Sequence, residues 1–175
     1  MASHSRILLS LLFLSLSPLL TSCDKLNPVV HLHFYMQLVP NKTQVLVAQS
    51  NITVPNSFYN FGSLIVLDNV LTQGPENTSL PIGKTQGIQS VMNSRTVSWA
   101  ANLVFTTGSY NGSSLAFLGA DEVTQPVREY SIVGGSSMFR MAQGYILIKT
   151  YAVDFNLGSA ILELNVTVYL PKLAG

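Results

Sequence analysis

Charged side chains are scarce in this sequence. Asp, Glu, Lys and Arg make up 10 % of its 175 residues, and the formal net charge is only +1. Soluble domains usually carry about 25 % charged residues. Without a basic stripe there is no electrostatic footprint for phosphate groups, so we expect no nucleic-acid partner. Surface polarity must therefore come from another source.

Cysteine is almost absent as well. Cys23 is the only one, and it ends a leader in which a long apolar run follows Arg6. This order is typical of a cleaved secretory signal peptide. We predict a signal peptide over 1–23 and one mature domain over 24–175, without an internal disulfide. An uncleaved anchor and bacterial lipidation at Cys23 are the alternatives. No later segment is long and apolar enough to predict a membrane span.

N-glycosylation sequons provide a candidate source of polarity. In each, Ser or Thr follows two positions after Asn, and the acceptors are Asn41, Asn51, Asn77, Asn111 and Asn165. So many sequons in a short chain favour the eukaryotic secretory route over bacterial lipidation. The sequence therefore predicts a secreted glycoprotein.

Helical periodicity is missing, and short alternating segments take its place. Leu32, Phe34, Met36 and Leu38 share one face of the first segment, with polar residues opposite. Strand-like segments cover 30–38, 43–53, 64–68, 86–92, 99–106, 114–118, 144–152 and 161–170. About eight antiparallel strands without a long helix predict a closed barrel or a sandwich. Asn111-Gly112 predicts a type I′ hairpin turn with an exposed tip.

One acid and one base lie close together among these strand-like residues. Asp121 and Arg128 flank Pro126, which cannot donate to a sheet ladder, so we expect a bend that brings the two charges together. Gly134 and Gly135 follow, where the backbone can approach a neighbour closely. The pair is either a structural ion pair that closes the loop or part of a substrate site, and the two roles are compatible.

Metal-ligand clusters, phosphate-binding loops and a catalytic Ser-His set are all missing, so we expect no cofactor and no metal. His31 and His33 share a strand face but have no third ligand at suitable spacing, which favours a surface or interface role. We expect Trp99 in the core or in an oligomer contact, and Lys149 as a side chain that extends its charge to solvent.

A succession of motifs along the mature chain resembles the plant dirigent proteins. They are LHFYM at 32–36, FGSLIVLD at 61–68 with LT at 71–72, QG at 86–87, LVF at 103–105, YNGS at 110–113, GAD at 119–121, VRE at 127–129, VGG at 133–135 and FRMA at 139–142. The resemblance implies an all-β fold, an eight-stranded antiparallel β-barrel similar to lipocalin and allene oxide cyclase barrels. It also implies a homodimer or homotrimer in the apoplast.

The resemblance implies a function in phenylpropanoid and lignan biosynthesis. Dirigent proteins bind phenoxy radicals of monolignol type, made by an external laccase or peroxidase, and bias their coupling without an oxidase activity of their own. A tenfold preference requires only ~1.4 kcal/mol between competing transition states. Asp121 and Arg128 match the acid and arginine that the family is proposed to use on a quinone methide. We expect the substrate pocket to include Phe34, Met36, Leu38, Gln89 and Val91.

The chain also departs from the family pattern. Gln37-Leu38 stands where many members have His-Asp, Gln89 and Val91 stand where pocket tyrosines are frequent, and Gln143 replaces an arginine. Three functions remain in view. The first is a stereochemical guide for radical coupling, the second a quinone-methide cyclase or lyase that uses Asp121 and Arg128, and the third a glycoprotein that only binds phenolics or wall polymers.

Overall fold

The computed structural model describes residues 28–53 and 60–171, and the predicted signal peptide over 1–23 lies outside them. Within this part of the chain no helix is long and apolar enough to cross a membrane. The described residues include 3₁₀ turns at Gly108–Tyr110 and Ser137–Phe139. The strands are β1 (Val29–Leu38), β2 (Gln44–Ala48), β3 (Leu64–Thr72), β4 (Pro81–Val91), β5 (Thr96–Phe105), β6 (Ser114–Glu122), β7 (Arg128–Ser136), β8 (Gln143–Asp154) and β9 (Ser159–Tyr169).

The strands form one antiparallel sheet that closes on itself. Neighbours follow the order β1-β9-β8-β7-β6-β5-β4-β3-β2, and β1 also pairs with β3. This closing seam joins residues 35–37 of β1 to residues 70–72 of β3. Closure removes the free strand edges that would otherwise pair with other chains.

β1 and β2 share one position in the barrel wall. Both pair with β3: β1 pairs with residues 70–72 of β3, and β2 pairs with residues 64–67 of β3. The chain between them turns at 39–43, where Asn41 has a φ of 60° and the Asp68 N–H donates to the Thr43 carbonyl at 2.8 Å. The nine strands therefore build eight wall positions. The prediction of an eight-stranded antiparallel β-barrel is confirmed.

The alternating apolar rows point into the barrel. Phe34 and Met36 of β1 are buried, as are four alternate aliphatic residues of β9, Leu162, Leu164, Val166 and Val168. Full burial of one such side chain stabilises the fold by about 1.5–3 kcal/mol. The shared apolar face predicted for β1 therefore points inward, and Asn165 lies on the outer face of β9.

Aromatic side chains fill one end of the barrel. Phe105 lies 6.0 Å from Phe34, 6.0 Å from Tyr110 and 5.7 Å from Phe139, measured between ring centroids. Tyr110 and Phe139 lie 4.9 Å apart. We call these four rings the aromatic plug. Because the plug occupies this end, open space inside the barrel has to lie at the other end.

The turn at Asn111-Gly112 differs from the prediction. Asn111 has φ −51° and ψ 132°, Gly112 has φ 78°, and the Ser113 N–H donates to the Tyr110 carbonyl at 2.9 Å. These angles define a type II turn, so the type I′ prediction was wrong. The 3₁₀ turn before it lengthens the connection, which frees the turn from matching the strand twist. Asn111 is exposed at the tip, as expected.

Two strand predictions also need correction. β7 was absent from the predicted strands, because Gly134 and Gly135 interrupt its alternation. β2 covers only Gln44–Ala48 instead of 43–53, because its pairing with β3 shifts register after Leu46 and ends at Ala48.

The two adjacent glycines of β7 give a matched test of packing. A Cβ atom at Gly135 would lie 2.5 Å from the Phe139 carbonyl oxygen and 2.6 Å from that of Ser114, whereas a Cβ atom at Gly134 has no heavy atom within 4 Å. We expect Gly135→Ala to lower the free energy of unfolding by about 1–3 kcal/mol through overpacking. Gly134→Ala should lower it much less. Urea unfolding of both variants measures the difference, and equal stabilities would contradict this account.

Candidate active site

A pocket of about 640 Å³ lies at the barrel end opposite the aromatic plug. This volume is within the range typical of small-molecule sites. The interior walls are formed by Leu38, Gln89, Val97, Trp99, Thr150 and Leu162, and the rim includes Val123, Thr124, Gln125, Pro126 and Phe155. The pocket is therefore largely apolar.

A second cavity, about 690 Å³, lies beside the first at the β1–β2 and β8–β9 turns. The two share Leu38, Val153, Ser159 and Ala160. The second cavity is slightly larger, but Asp121 and Arg128 line only the first. Because these two buried ionisable groups supply the chemistry, the first pocket is the candidate site.

Asp121 and Arg128 reach the pocket from adjacent strands. Asp121 is the next-to-last residue of β6, Arg128 is the first of β7, and Pro126 lies in the turn between them. Arg128 Nε lies 3.0 Å from Asp121 Oδ1, and each side chain is only 5 % exposed. The structure brings the two charges together across a bend, as the sequence predicts.

The ion pair is incompletely hydrogen-bonded. Arg128 Nη1 donates to Thr150 Oγ1 at 2.8 Å and weakly to the Gln125 carbonyl at 3.4 Å. Among the described residues, neither Arg128 Nε nor Asp121 Oδ1 makes a hydrogen bond of good geometry, although the two atoms are close. The attraction between them is therefore mainly electrostatic, with poor alignment of the N–H group.

Burial favours the neutral form of Asp121. Loss of hydration raises the pKa of its carboxyl group, and the Tyr130 hydroxyl group and the charge of Arg128 offset only part of this effect. Burial, followed by the negative charge of Asp121, also raises the pKa of Tyr130, whose phenol stays protonated. The pocket thus holds a carboxyl group that keeps its proton to a higher pH than an ordinary Asp.

Aromatic rings form the floor beneath this carboxyl group. Tyr130 lies 5.5 Å from Phe117 and 6.1 Å from Trp99, both with edge-to-face geometry. Gly119 makes room for the tyrosine ring, because a Cβ atom there would lie 2.9 Å from Tyr130 Cδ1. The indole N–H of Trp99 is buried without a partner among the described residues. The floor is therefore rigid, apolar and low in dielectric.

The comparisons with known proteins agree with this architecture. The family of dirigent-like proteins matches residues 29–169, which is nearly the whole described chain. The chain belongs to the dirigent family.

Its relatives include proteins named pterocarpan synthases and proteins named dirigent proteins. Pterocarpan synthase 1 of Glycyrrhiza echinata is 39 % identical over 145 residues, 79 % of this chain and 77 % of the relative. Dirigent protein 15 of Arabidopsis thaliana is 39 % identical over 161 residues, 85 % of each chain. A solved pterocarpan synthase dirigent protein superposes with a TM-score of 0.77 at 34 % identity, covering 86 % of this chain and all of the other.

The predicted pocket residues of this dirigent chain separate into two groups. Leu38 and Gln89 line the pocket. Phe34, Met36 and Val91 do not, which corrects the expectation for them: Phe34 belongs to the aromatic plug, and all three are at most 1 % exposed in the packed interior. Val91 pairs with Val97 of the pocket wall, so it lies at the level of the pocket but is covered by its neighbours.

Sequence reasoning missed other residues that line the pocket. Val97, Thr150 and Leu162 were not singled out, and Trp99 was expected only in the core or an oligomer contact; in the structure it is buried and also lines the pocket. Lys149 lies at the pocket rim and is exposed, in keeping with an extended charge. Alternation along β5 and β9 indicates which side chains point into the barrel, but it does not indicate how far along the barrel each of them lies.

The remaining candidates lie on the outer face of the barrel. His33 Nε2 is 3.1 Å from Glu163 Oε1, and His31 Nδ1 is 3.3 Å from Thr167 Oγ1. The described residues contain no group of three or more His, Cys, Asp or Glu side chains suited to hold a metal ion. Four sequon asparagines are exposed, at positions 41, 51, 77 and 111, whereas Asn165 is half-buried. Their glycosylation stays a prediction.

Replacing Asp121 with Asn should change how stability depends on pH. Since the folded pKa of Asp121 is raised, this group stabilises the fold below its ordinary value of 3.8, and that contribution is lost as pH rises through the raised pKa. Asn cannot lose a proton, so Asp121→Asn should gain stability relative to wild type across this window. Urea unfolding at a series of pH values measures the difference.

Asp68→Asn is the matched control with the opposite sign. Hydrogen bonds from the Lys84 and Gln86 side chains lower the pKa of Asp68, which lies on the outer face. Its contribution is present above 3.8 and is lost as pH falls through the lowered pKa. Asp68→Asn should therefore lose stability relative to wild type as pH rises. The same trend in both variants would contradict the burial argument for Asp121.

Proposed function

We propose that this dirigent protein closes a ring on a phenolic quinone methide inside its barrel pocket, with Asp121 as the general acid. One observation carries the proposal: a buried carboxyl group with a raised pKa faces a largely apolar pocket beside the guanidinium group of Arg128. A general acid works best when it is still protonated near the working pH. The alternative reading of the pair as structural remains compatible with this role.

The proposed reaction is an isomerisation. A phenol oxygen of the substrate bonds to the electrophilic benzylic carbon, and the electron pair moves to the quinone carbonyl oxygen. Asp121 gives its proton to that oxygen, which becomes a phenol, and the resulting carboxylate accepts the proton of the attacking phenol. Arg128 stabilises the carboxylate in the interval. No oxidant is consumed, and Asp121 returns to its initial state.

The pocket walls suit such a substrate. Val97, Trp99 and Leu162 offer apolar surface for aromatic rings, and the volume of about 640 Å³ accommodates a molecule with several rings. Relatives named pterocarpan synthases support a ring-forming role, since a pterocarpan is a fused phenolic ring system. That the substrate of this protein is a phenolic quinone methide is part of the proposal.

Asp121→Asn tests the acid. A quinone methide that carries a free phenol, generated in situ without any oxidant present, should cyclise faster with wild-type protein than in buffer. Asp121→Asn should lower kcat by about 10²–10⁴, the usual contribution of a general acid. The wild-type rate should also fall as pH rises through the raised pKa of Asp121, because the carboxylate cannot donate a proton.

Glu129→Gln is the control for charge loss. Glu129 is exposed and lies next to Arg128 in the sequence, with its side chain on the opposite face of β7. This variant should keep the wild-type rate and pH profile. An Asp121→Asn variant that folds and keeps full activity would overturn the proposed acid.

A second candidate is a guide for phenoxy-radical coupling, favoured by the apolar pocket walls and by dirigent relatives such as dirigent protein 15. Here an external laccase or peroxidase would supply the radicals. With a monolignol and a one-electron oxidant, we expect the protein to enrich one enantiomer of the coupled product by about tenfold, which requires ~1.4 kcal/mol. Chiral chromatography measures the ratio.

A racemic product formed at an unchanged rate would remove the guide for that substrate. If the ring closure were also absent, the third function would stand, a glycoprotein that binds phenolics without changing them. We further propose that the chain is secreted to the apoplast with sugars on its exposed sequons and assembles as a homodimer or homotrimer. The exposure of Asn41, Asn51, Asn77 and Asn111 supports the glycosylation part.

A further inference from the structure

Three polar atoms are buried beneath the pocket without well-formed hydrogen bonds. They are Asp121 Oδ1, Arg128 Nε and the Tyr130 hydroxyl group, and among the described residues none has a partner of good geometry. Tyr130 is 1 % exposed and packed against Trp99 and Phe117. Buried polar groups are nearly always paired, because an unpaired one costs about 1–3 kcal/mol. Such a cluster therefore calls for a functional explanation.

The two oxygens of Asp121 have different surroundings. Oδ1 is buried and faces Arg128 Nε at 3.0 Å. Since Asp121 lines the pocket, Oδ2 is the oxygen left to reach a ligand. A neutral carboxyl group carries its proton on one oxygen and accepts hydrogen bonds on the other. Donors at Oδ1 therefore favour the proton on Oδ2, where it can be transferred.

Tyr130 is placed to be such a donor. Its hydroxyl group is buried beneath the pocket, as Oδ1 is, and its ring packs against Gly119, two residues before Asp121 on the same strand. The Tyr130 hydroxyl group also lowers the pKa of the Asp121 carboxyl group, the direction expected of a donor. Tyr130 is not among the residues that line the pocket, so it acts on a ligand only through Asp121. Hydrogen bonds in an empty active site are often long or poorly aligned and tighten when substrate binds.

We propose that Tyr130 is a positioning residue: its hydroxyl group donates to Asp121 Oδ1 and keeps the transferable proton on Oδ2, facing the substrate. This inference rests on the proposed function, because it explains how the acid is oriented. Tyr130 cannot replace Asp121 as the acid, since burial and the adjacent carboxyl group hold its own proton firmly.

The other groups around Asp121 define what the test has to control. Arg128 on β7 and Lys149 on β8 are the remaining titratable residues that line the pocket in the described part of the chain. β5 presents Val97, directly across from Asp121 in the sheet, and Trp99, neither of which titrates. Arg128 and Lys149 are unchanged in the variants below, so a shifted pH profile reports on the tyrosine hydroxyl group.

Tyr130→Phe removes the hydroxyl group and keeps the ring. On the acidic plateau of the ring-closure reaction, kcat should fall about 3- to 10-fold with KM unchanged, the effect of losing one hydrogen bond to the acid. The alkaline limb of the pH profile should move to higher pH, because the hydrogen bond from Tyr130 lowers the pKa of Asp121. Phe117→Leu, in the same aromatic floor, should reduce stability and leave the limb in place.

A second measurement needs no substrate. The stability gain of Asp121→Asn over its parent should be measured against pH in the wild-type and in the Tyr130→Phe background. In the Tyr130→Phe background this stability gain should keep rising to a higher pH than in the wild-type background. If the stability window and the kinetic limb both stay unmoved, or if Phe117→Leu moves the limb equally, the inference is overturned.

The two proposals fail in different ways. Full activity of Asp121→Asn overturns the proposed function, and with it the catalytic purpose of the hydrogen bond, while the stability window still shows whether Tyr130 donates to Asp121. Loss of activity in Asp121→Asn with an unaltered Tyr130→Phe profile overturns only the role of Tyr130.

Discussion

The burial of Asp121 and Arg128 in an otherwise apolar barrel is the constraint on which the site depends. Moving two charged groups out of water costs several kcal/mol for each, and their mutual attraction compensates only when geometry and hydrogen bonds are good. Here Arg128 has one strong side-chain partner, Thr150, and its contact with Asp121 is poorly aligned. The pair is thus held in place by the barrel more than it holds the barrel together.

The barrel can hold the pair because its wall is closed while its two ends are different. The aromatic plug fills one end, so the apolar core there supplies stability without a cavity. At the other end the pairing of β6 with β7 stops at Leu118 and Ser131, before Asp121 and Arg128. Asp121 still pairs with Val97 of β5, and Arg128 still pairs with Ile148 of β8, so both side chains keep the inward direction of their strands. Several buried polar atoms without a partner among the described residues lie at this end, on Trp99, Asp121, Arg128 and Tyr130.

Membership of the dirigent family accounts for the barrel. Leu38 and Gln89, two of the departures of this chain from the family pattern, line the pocket, and Asp121 is the only carboxyl group among the described residues that line it. A pocket with one acid favours proton transfer at one defined oxygen. The group that orients this proton therefore matters, and Tyr130 is the residue that lies beneath the Asp121 carboxyl group.

Much of the fold could be predicted from the sequence. Alternation along β1 gave its inward face, because side chains of a strand alternate strictly between the two sides of a sheet. β7 escaped the same reasoning, because Gly134 and Gly135 carry no side chain to alternate. The bend between Asp121 and Arg128 followed from Pro126, whose effect is local. Local effects of this kind can be predicted from the sequence alone.

The position of each inward side chain along the barrel axis could not be predicted in this way. Phe34, Met36 and Leu38 have the same inward direction, yet only Leu38 reaches the pocket, because the aromatic plug forms from residues of β1, β5 and two loops that are distant in the chain. The cluster of Asp121, Arg128 and Tyr130 likewise depends on how β6 and β7 lie beside each other. The sequence by itself determined the strands, their buried faces and the charged pair. Only the tertiary structure decided where the barrel is filled, where it is open and which buried oxygen meets which donor, because those depend on side chains brought together by closure of the sheet.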